Sequence, residues 1–204
     1  MGWNRLEALI DETDRQAAPP QVQALADELA GERGVAAVLF YGSCRRDTAV
    51  GDGIADLYLL VDSYTAYHGP GLKAVAGRLL PPNVAYRETT TPHGPARAKC
   101  AVLSLRDFER GTSPAWFHSY LWARFAQPAP LLFARDPGTR ERVRRARATA
   151  VRTFLERSLP LTPARFRPVQ AWCRGLALSY GAELRAEDTL RIRKIYRADR
   201  AFFE

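Results

Sequence analysis

The chain has 204 residues, 47% of them hydrophobic, which is enough to bury a core in one domain with an appendage or in two small domains, so disorder is not the default reading. Its net charge of +8 is almost all arginine, since Lys73, Lys99 and Lys194 are its lysines. That balance points to nucleotide phosphates, nucleic acid or an acidic lipid surface, although a GC-rich genome, which favours arginine and alanine codons, would produce it too.

In chain order, the segment from Met1 to Ile10 carries Arg5 and Glu7 among its apolar residues and lacks the long apolar core of a secretory signal. Apolar spacing predicts two one-sided helices, over Trp3 to Ile10 and Val22 to Leu29, separated by Pro19-Pro20. After Gly34, the continuous apolar run Val35 to Tyr41 predicts a buried strand that stops at Gly42. A polar stretch from Ser43 to Gly53 leads to a second strand over Ile54 to Val61, apolar except for Asp56. Lys73 to Leu80 reads as a helix stopped by Pro81-Pro82, Val84 to Thr90 and Lys99 to Leu105 as strands, and Thr89 to Arg97 as a Pro/Gly-bearing loop. Helical spacing then takes over at Trp116 to Phe125, Thr139 to Leu159 and Ala164 to Tyr180. This order predicts an α+β fold, a mixed β-sheet with flanking helices at 1–130 followed by a helical C-terminal region at 131–204. No apolar run approaches the roughly 18 residues that span a bilayer, so membrane contact is expected to be peripheral. Cys44, Cys100 and Cys173 are too few and too scattered for a disulfide framework or a zinc cluster, and they suit a reducing cytoplasm.

Two features suggest chemistry. A glycine followed by a small hydroxyl residue at the end of a buried strand lets backbone amides approach phosphate oxygens, and Gly42-Ser43 is so placed, although an ordinary turn would look the same. Asp56 interrupts an apolar strand, where a charge needs a metal, solvent or a cation. Together they would suit transfer of a nucleotidyl group, which requires a triphosphate cradle and a metal-holding carboxylate. Asp56 as a solvated strand end is the competing reading.

Tyr41-Gly42-Ser43, a polar insert and an Asp-led apolar strand resemble the nucleotidyltransferase superfamily signature. That signature has a second aspartate two positions on, where this chain has Tyr58. The strand Asp56-Leu57-Tyr58-Leu59-Leu60-Val61-Asp62, followed by His68, is similar to the mitochondrial-type phosphatidate cytidylyltransferases, also called translocator assembly and maintenance proteins. The strand led by Lys99, the segment Trp116 to Tyr120 with Arg124, and the run Leu178 to Arg185 extend the resemblance over Val35 to Arg185, while Cys44 stands where a further glycine is expected.

The resemblance implies CTP and phosphatidic acid as substrates, Mg2+ as cofactor and CDP-diacylglycerol as product. It implies a cytoplasmic protein in peripheral contact with the anionic inner face of a membrane, with no nucleic acid partner. Asp56 would hold metal and, with Lys99, be catalytic. Tyr41, Gly42, Ser43, His68, Tyr120 and Arg124 would bind nucleotide, and Ser179, Tyr180 and Arg185 would bind substrate. Asp52, Asp62 and Glu88 are candidates for further metal ligands. Trp116, Tyr120 and Arg124 are expected near one helical face, with Trp116 favoured as a core residue. The helix over 139–159 sets Val143, Ala146, Ala150, Val151, Phe154 and Leu155 opposite arginines, which suits a domain helix or, if lipid is bound, a membrane-surface helix. The residues also admit a nucleotidyltransferase acting on protein or RNA, or a degenerate domain that binds nucleotide without catalysis.

Overall fold

The computed structural model describes residues 2–45, 53–182 and 189–204, so Asp52 and Arg185 lie outside the described residues. The strands are β1 (Val35–Tyr41), β2 (Ala55–Val61), β3 (Asn83–Thr91), β4 (Gly94–Ser104) and β5 (Leu131–Ala134), and they form one sheet in the order β3-β4-β2-β1-β5. β2 and β4 run parallel and every other neighbouring pair is antiparallel. The helices are α1 (Gly2–Asp14), α2 (Pro20–Ala30), α3 (Tyr64–His68), α4 (Leu72–Leu79), α5 (Leu105–Gly111), α6 (Tyr120–Phe125), α7 (Pro137–Ser158), α8 (Pro168–Ala182), α9 (Thr189–Ala198) and α10 (Arg200–Phe203). The protein is therefore α+β, a mixed five-stranded sheet with flanking helices and a helical C-terminal region.

The chain divides into two compact units, one of residues 11–108 and 129–143, the other of residues 1–10, 109–128 and 144–204. The first holds the sheet. Its core gathers Val38, Phe40, Leu57, Leu59, Val61, Cys100 and Val102 on one sheet face beneath Val22, Leu25, Ala26 and Leu29 of α2. On the other face Leu39, Tyr58, Leu60, Ala101 and Leu103 are also buried, which explains why β1 and β2 read as unbroken apolar runs rather than alternating ones. Proline at the first position of α2 costs no helical hydrogen bond, and Ser63 caps α3 by accepting from the Ala66 amide at 3.0 Å.

The expected loop at Thr89 to Arg97 is instead a hairpin. Thr91 pairs with Gly94 across Pro92-His93, and the Thr91 hydroxyl donates to the Gly94 carbonyl at 2.7 Å while accepting from the His93 amide at 3.1 Å. Lys99 accordingly lies inside β4 instead of opening it.

The second unit is helical. Val151 and Phe154 of α7, Trp172 and Leu176 of α8, Ile192, Ile195 and Tyr196 of α9, and Phe203 of α10 form its core. Trp172 stacks on Phe154 with ring centroids 4.8 Å apart and donates its indole N–H to the Phe203 carbonyl at 3.0 Å. A side chain at Gly175 would strike Phe154, so α8 approaches α7 closely because that position is glycine.

Candidate functional site

The sheet register gathers the candidate residues of the first unit. Tyr41 of β1 pairs with Asp56 of β2, Asp56 with Lys99 of β4, and Lys99 with Tyr86 of β3. Residues paired across neighbouring strands share a face, so these four form one row on the face opposite the α2 core. Neighbouring strands lie about 4.8 Å apart, which brings the Asp56 carboxylate and the Lys99 stem side by side. Lys99 is exposed although it pairs with Asp56, while its neighbours Ala98 and Cys100, which point to the α2 face, are buried.

Asp56 is the second residue of β2 and only partly buried, so its charge escapes the cost of a fully dry interior. The turn that follows β1 is built against it. Gly42 has φ of +91°, where a Cβ is strained, and a Cβ there would collide with the Asp56 carboxylate oxygen Oδ2. Glycine is thus needed twice over, for the backbone conformation and for close approach to the carboxylate. Ser43, exposed, opens a short 3-10 turn over Ser43–Arg45. Cys44, where a glycine was expected, donates its thiol to the Ile54 carbonyl at 3.0 Å and ties the turn to the entry of β2.

Tyr58 follows two residues after Asp56 on the same face, fully buried, with its ring 4.9 Å from that of Tyr41. The position where the superfamily signature has its second aspartate is therefore part of the packing beneath the row.

Two other candidate carboxylates, Asp62 and Glu88, are engaged elsewhere. Asp62 stands beyond the far end of β2, about 20 Å from Asp56 at strand rise, where Arg135 clamps both of its oxygens at 2.7 and 3.0 Å. Glu88 shares the face of the row but accepts from the Tyr86 hydroxyl at 2.8 Å and from Arg97 at 3.0 Å, and these hydrogen bonds lower its pKa. Among the described residues, no group of three or more His, Cys, Asp or Glu side chains gathers to hold a metal ion. Mg2+ commonly uses one or two protein carboxylates and completes its shell with phosphate and water oxygens. A single carboxylate such as Asp56 would fit a Mg2+ held mainly by substrate phosphates, and the described residues do not fit an all-protein cage.

His68 is not brought to this row. It closes α3 and stands 3.4 Å from the amide of Asn83, which pairs with Val102 and belongs to the α2 face of the sheet near the far end of β2. No family model matches the chain, and no curated protein matches it.

The remaining candidates lie in the helical unit. Arg124 places its guanidinium 4.3 Å from the ring centre of Tyr120, a cation–π contact within α6. Trp116 is not on that helix. Ser113, Pro114 and the turn in which the Trp116 amide donates to the Ser113 carbonyl delay α6 to Tyr120, and Trp116 donates to His118 Nε2 at 3.1 Å. Ser179 is buried and donates to the Leu176 carbonyl at 2.9 Å within α8, and Tyr180 packs half-buried against the helical core. Ser179 is thereby committed to its own helix.

Sequence reasoning missed Tyr86. Had Pro92-His93 been read as a two-residue turn, counting back along the hairpin would have set Tyr86 opposite Lys99. Cys100, next to Lys99 but on the opposite face, has its thiol pushed up to about 12 by burial, which leaves it a packing residue.

Proposed function

We propose that the chain is a phosphatidate cytidylyltransferase, which transfers CMP from CTP to phosphatidic acid and releases pyrophosphate. The observation that carries this reading is the row Tyr41, Asp56 and Lys99 with Gly42 pressed against the Asp56 carboxylate. A carboxylate, a cation and a glycine turn with an exposed serine come together at one end of three neighbouring strands, β1 antiparallel and β4 parallel to β2 between them. That arrangement supports a nucleotidyltransferase fold for the sheet unit.

In this scheme the amides and hydroxyl of the Ser43 turn face triphosphate oxygens. Asp56 and the phosphate oxygens would hold Mg2+, which when bound offsets the charge that develops on the reacting phosphates. A phosphatidate oxygen attacks the α-phosphorus of CTP, the bond from that phosphorus to the bridging oxygen of the β-phosphate breaks, and pyrophosphate leaves with the electron pair. Lys99 lies beside Asp56 and supplies positive charge to the anionic reactants. A phosphomonoester with its second pKa near about 6 is already a nucleophile at neutral pH, so this site requires no general base.

Replacing Asp56 by alanine is expected to lower turnover by at least about a hundredfold with the circular dichroism spectrum unchanged, and Lys99→Ala to raise the KM for the anionic substrates. An Asp56→Ala protein as active as the parent would overturn the assignment. The burial of Tyr58 in the second carboxylate position favours a rival reading, a nucleotide-binding domain without transfer. Mg2+-dependent CTP binding with no pyrophosphate release would favour it.

A further inference from the structure

Helix α4 is built inside out. Its small residues Ala74 and Gly77 face the protein, and a side chain at Gly77 would strike Tyr64 and Asn83, so the helix lies close against its neighbours. Its large apolar residues face water: Leu72 is 88% exposed, Val75 53%, Leu79 72%, and Leu80, just past the helix, 78%. At about 100° per residue, Leu72, Val75, Ala76 and Leu79 fall within one arc of about 100°, with Lys73 on one side of it and Arg78 on the other. A helix of a water-soluble surface normally shows the reverse arrangement.

Charge identifies the occupant. From Ser63 to Tyr86 the sequence contains Lys73 and Arg78 and no aspartate or glutamate, and Arg87, next along, is already paired with Glu32 at 3.4 Å. Exposed leucines between cations, with no anion near them in the chain, suit an interface of acyl chains and anionic headgroups. A protein partner suits the patch less well, because an eight-residue helix is only about 12 Å long and a stable protein interface covers about 800 Å² on each side. Helix α7, the sequence candidate for a membrane-surface helix, has no such face to offer, since Val143, Ala146, Ala150, Val151 and Phe154 are buried in the protein's own core.

We propose that the Leu72, Val75, Leu79 and Leu80 face of α4, flanked by Lys73 and Arg78, inserts into the surface of an anionic lipid bilayer. No helix among the described residues is long and apolar enough to cross a membrane, so the contact is interfacial. A bilayer contact would place the sheet unit where a phospholipid substrate is found, but the inference stands without the proposed chemistry, and its test uses no nucleotide.

The full chain is sedimented with phosphatidylglycerol vesicles and with phosphatidylcholine vesicles. Expected are binding to the anionic vesicles, a loss of at least about tenfold in the Leu72→Ser/Leu79→Ser variant, and a drop of about fivefold for each of Lys73→Gln and Arg78→Gln. These side chains are exposed, so the variants should keep the parent's melting temperature, which is measured alongside. Failure of the parent to bind anionic vesicles would overturn the proposal. So would undiminished binding by Leu72→Ser/Leu79→Ser, or self-association of the parent that this variant abolishes, which would assign the face to a second copy of the chain.

Discussion

Replacing Gly42 by alanine tests the geometry of the site without assuming any activity. At φ of +91° a Cβ costs about 1–2 kcal/mol relative to glycine. The same Cβ falls on the Asp56 carboxylate, which must leave its rotamer at a further cost of about 0.5–1.5 kcal/mol. The Gly42→Ala protein should therefore lose about 1.5–3.5 kcal/mol, read from urea unfolding followed by circular dichroism. The second part should vanish when the carboxylate is absent. In an Asp56→Ala background the same substitution should cost about 1 kcal/mol less, a coupling that the four-protein cycle measures directly. Equal costs in both backgrounds would refute the close approach of Gly42 to Asp56. A neutral Gly42→Ala would refute the backbone conformation as well.

Further predictions concern the packing and the helix caps. Trp172→Ala should destabilise the helical unit by about 3–5 kcal/mol, because it removes the stack on Phe154 and the bond to Phe203 together, and chemical denaturation will show it. Introducing a second aspartate by Tyr58→Asp should not improve any transferase activity and should cost at least about 4 kcal/mol, since it exchanges a packed ring for a buried charge; a soluble and more active variant would contradict the placement of Tyr58. Asp136 accepts from the Thr139 amide at 2.7 Å and from its hydroxyl at 2.8 Å at the start of α7, and these bonds lower its pKa from the ordinary 3.8. A depressed folded-state pKa contributes stability that is present above 3.8 and lost as pH falls through the lower, folded value. Asp136→Asn should accordingly flatten the loss of melting temperature on acidification below that point and leave the profile at neutral pH parallel to the parent's.

Much of the sheet was legible because burial leaves a strong signal. β1 was predicted at Val35 to Tyr41, its observed limits, since a strand covered on both faces reads as one apolar run and Gly42 ends it. β3 and β4 were harder. β3 is an edge strand with alternating exposure, and Pro92, Gly94 and Pro95 made its hairpin look like a loop. β5, four residues between Pro130 and the cap of α7, is too short to have a period, and its pairing with β1 is a long-range event. α9 hides Ile192, Ile195 and Tyr196 among arginines, which masks the apolar stripe.

The site was legible in part for the same reason. Gly42, Ser43 and Asp56 stand out because each breaks a local pattern. Their union with Lys99 and Tyr86 depends on strand order and register, which no local pattern records. His68 follows β2 closely in sequence, yet the chain turns at Ser63 and carries it to the other face of the sheet.

The most direct test of the central claim is product analysis with CTP labelled at its α-phosphorus, incubated with the purified protein, Mg2+ and phosphatidic acid. If the protein carries out phosphatidate cytidylyl transfer at this site, label appears in CDP-diacylglycerol as pyrophosphate is released, and neither occurs with Asp56→Ala. A folded protein that binds the labelled CTP and passes none of it to phosphatidic acid would contradict it.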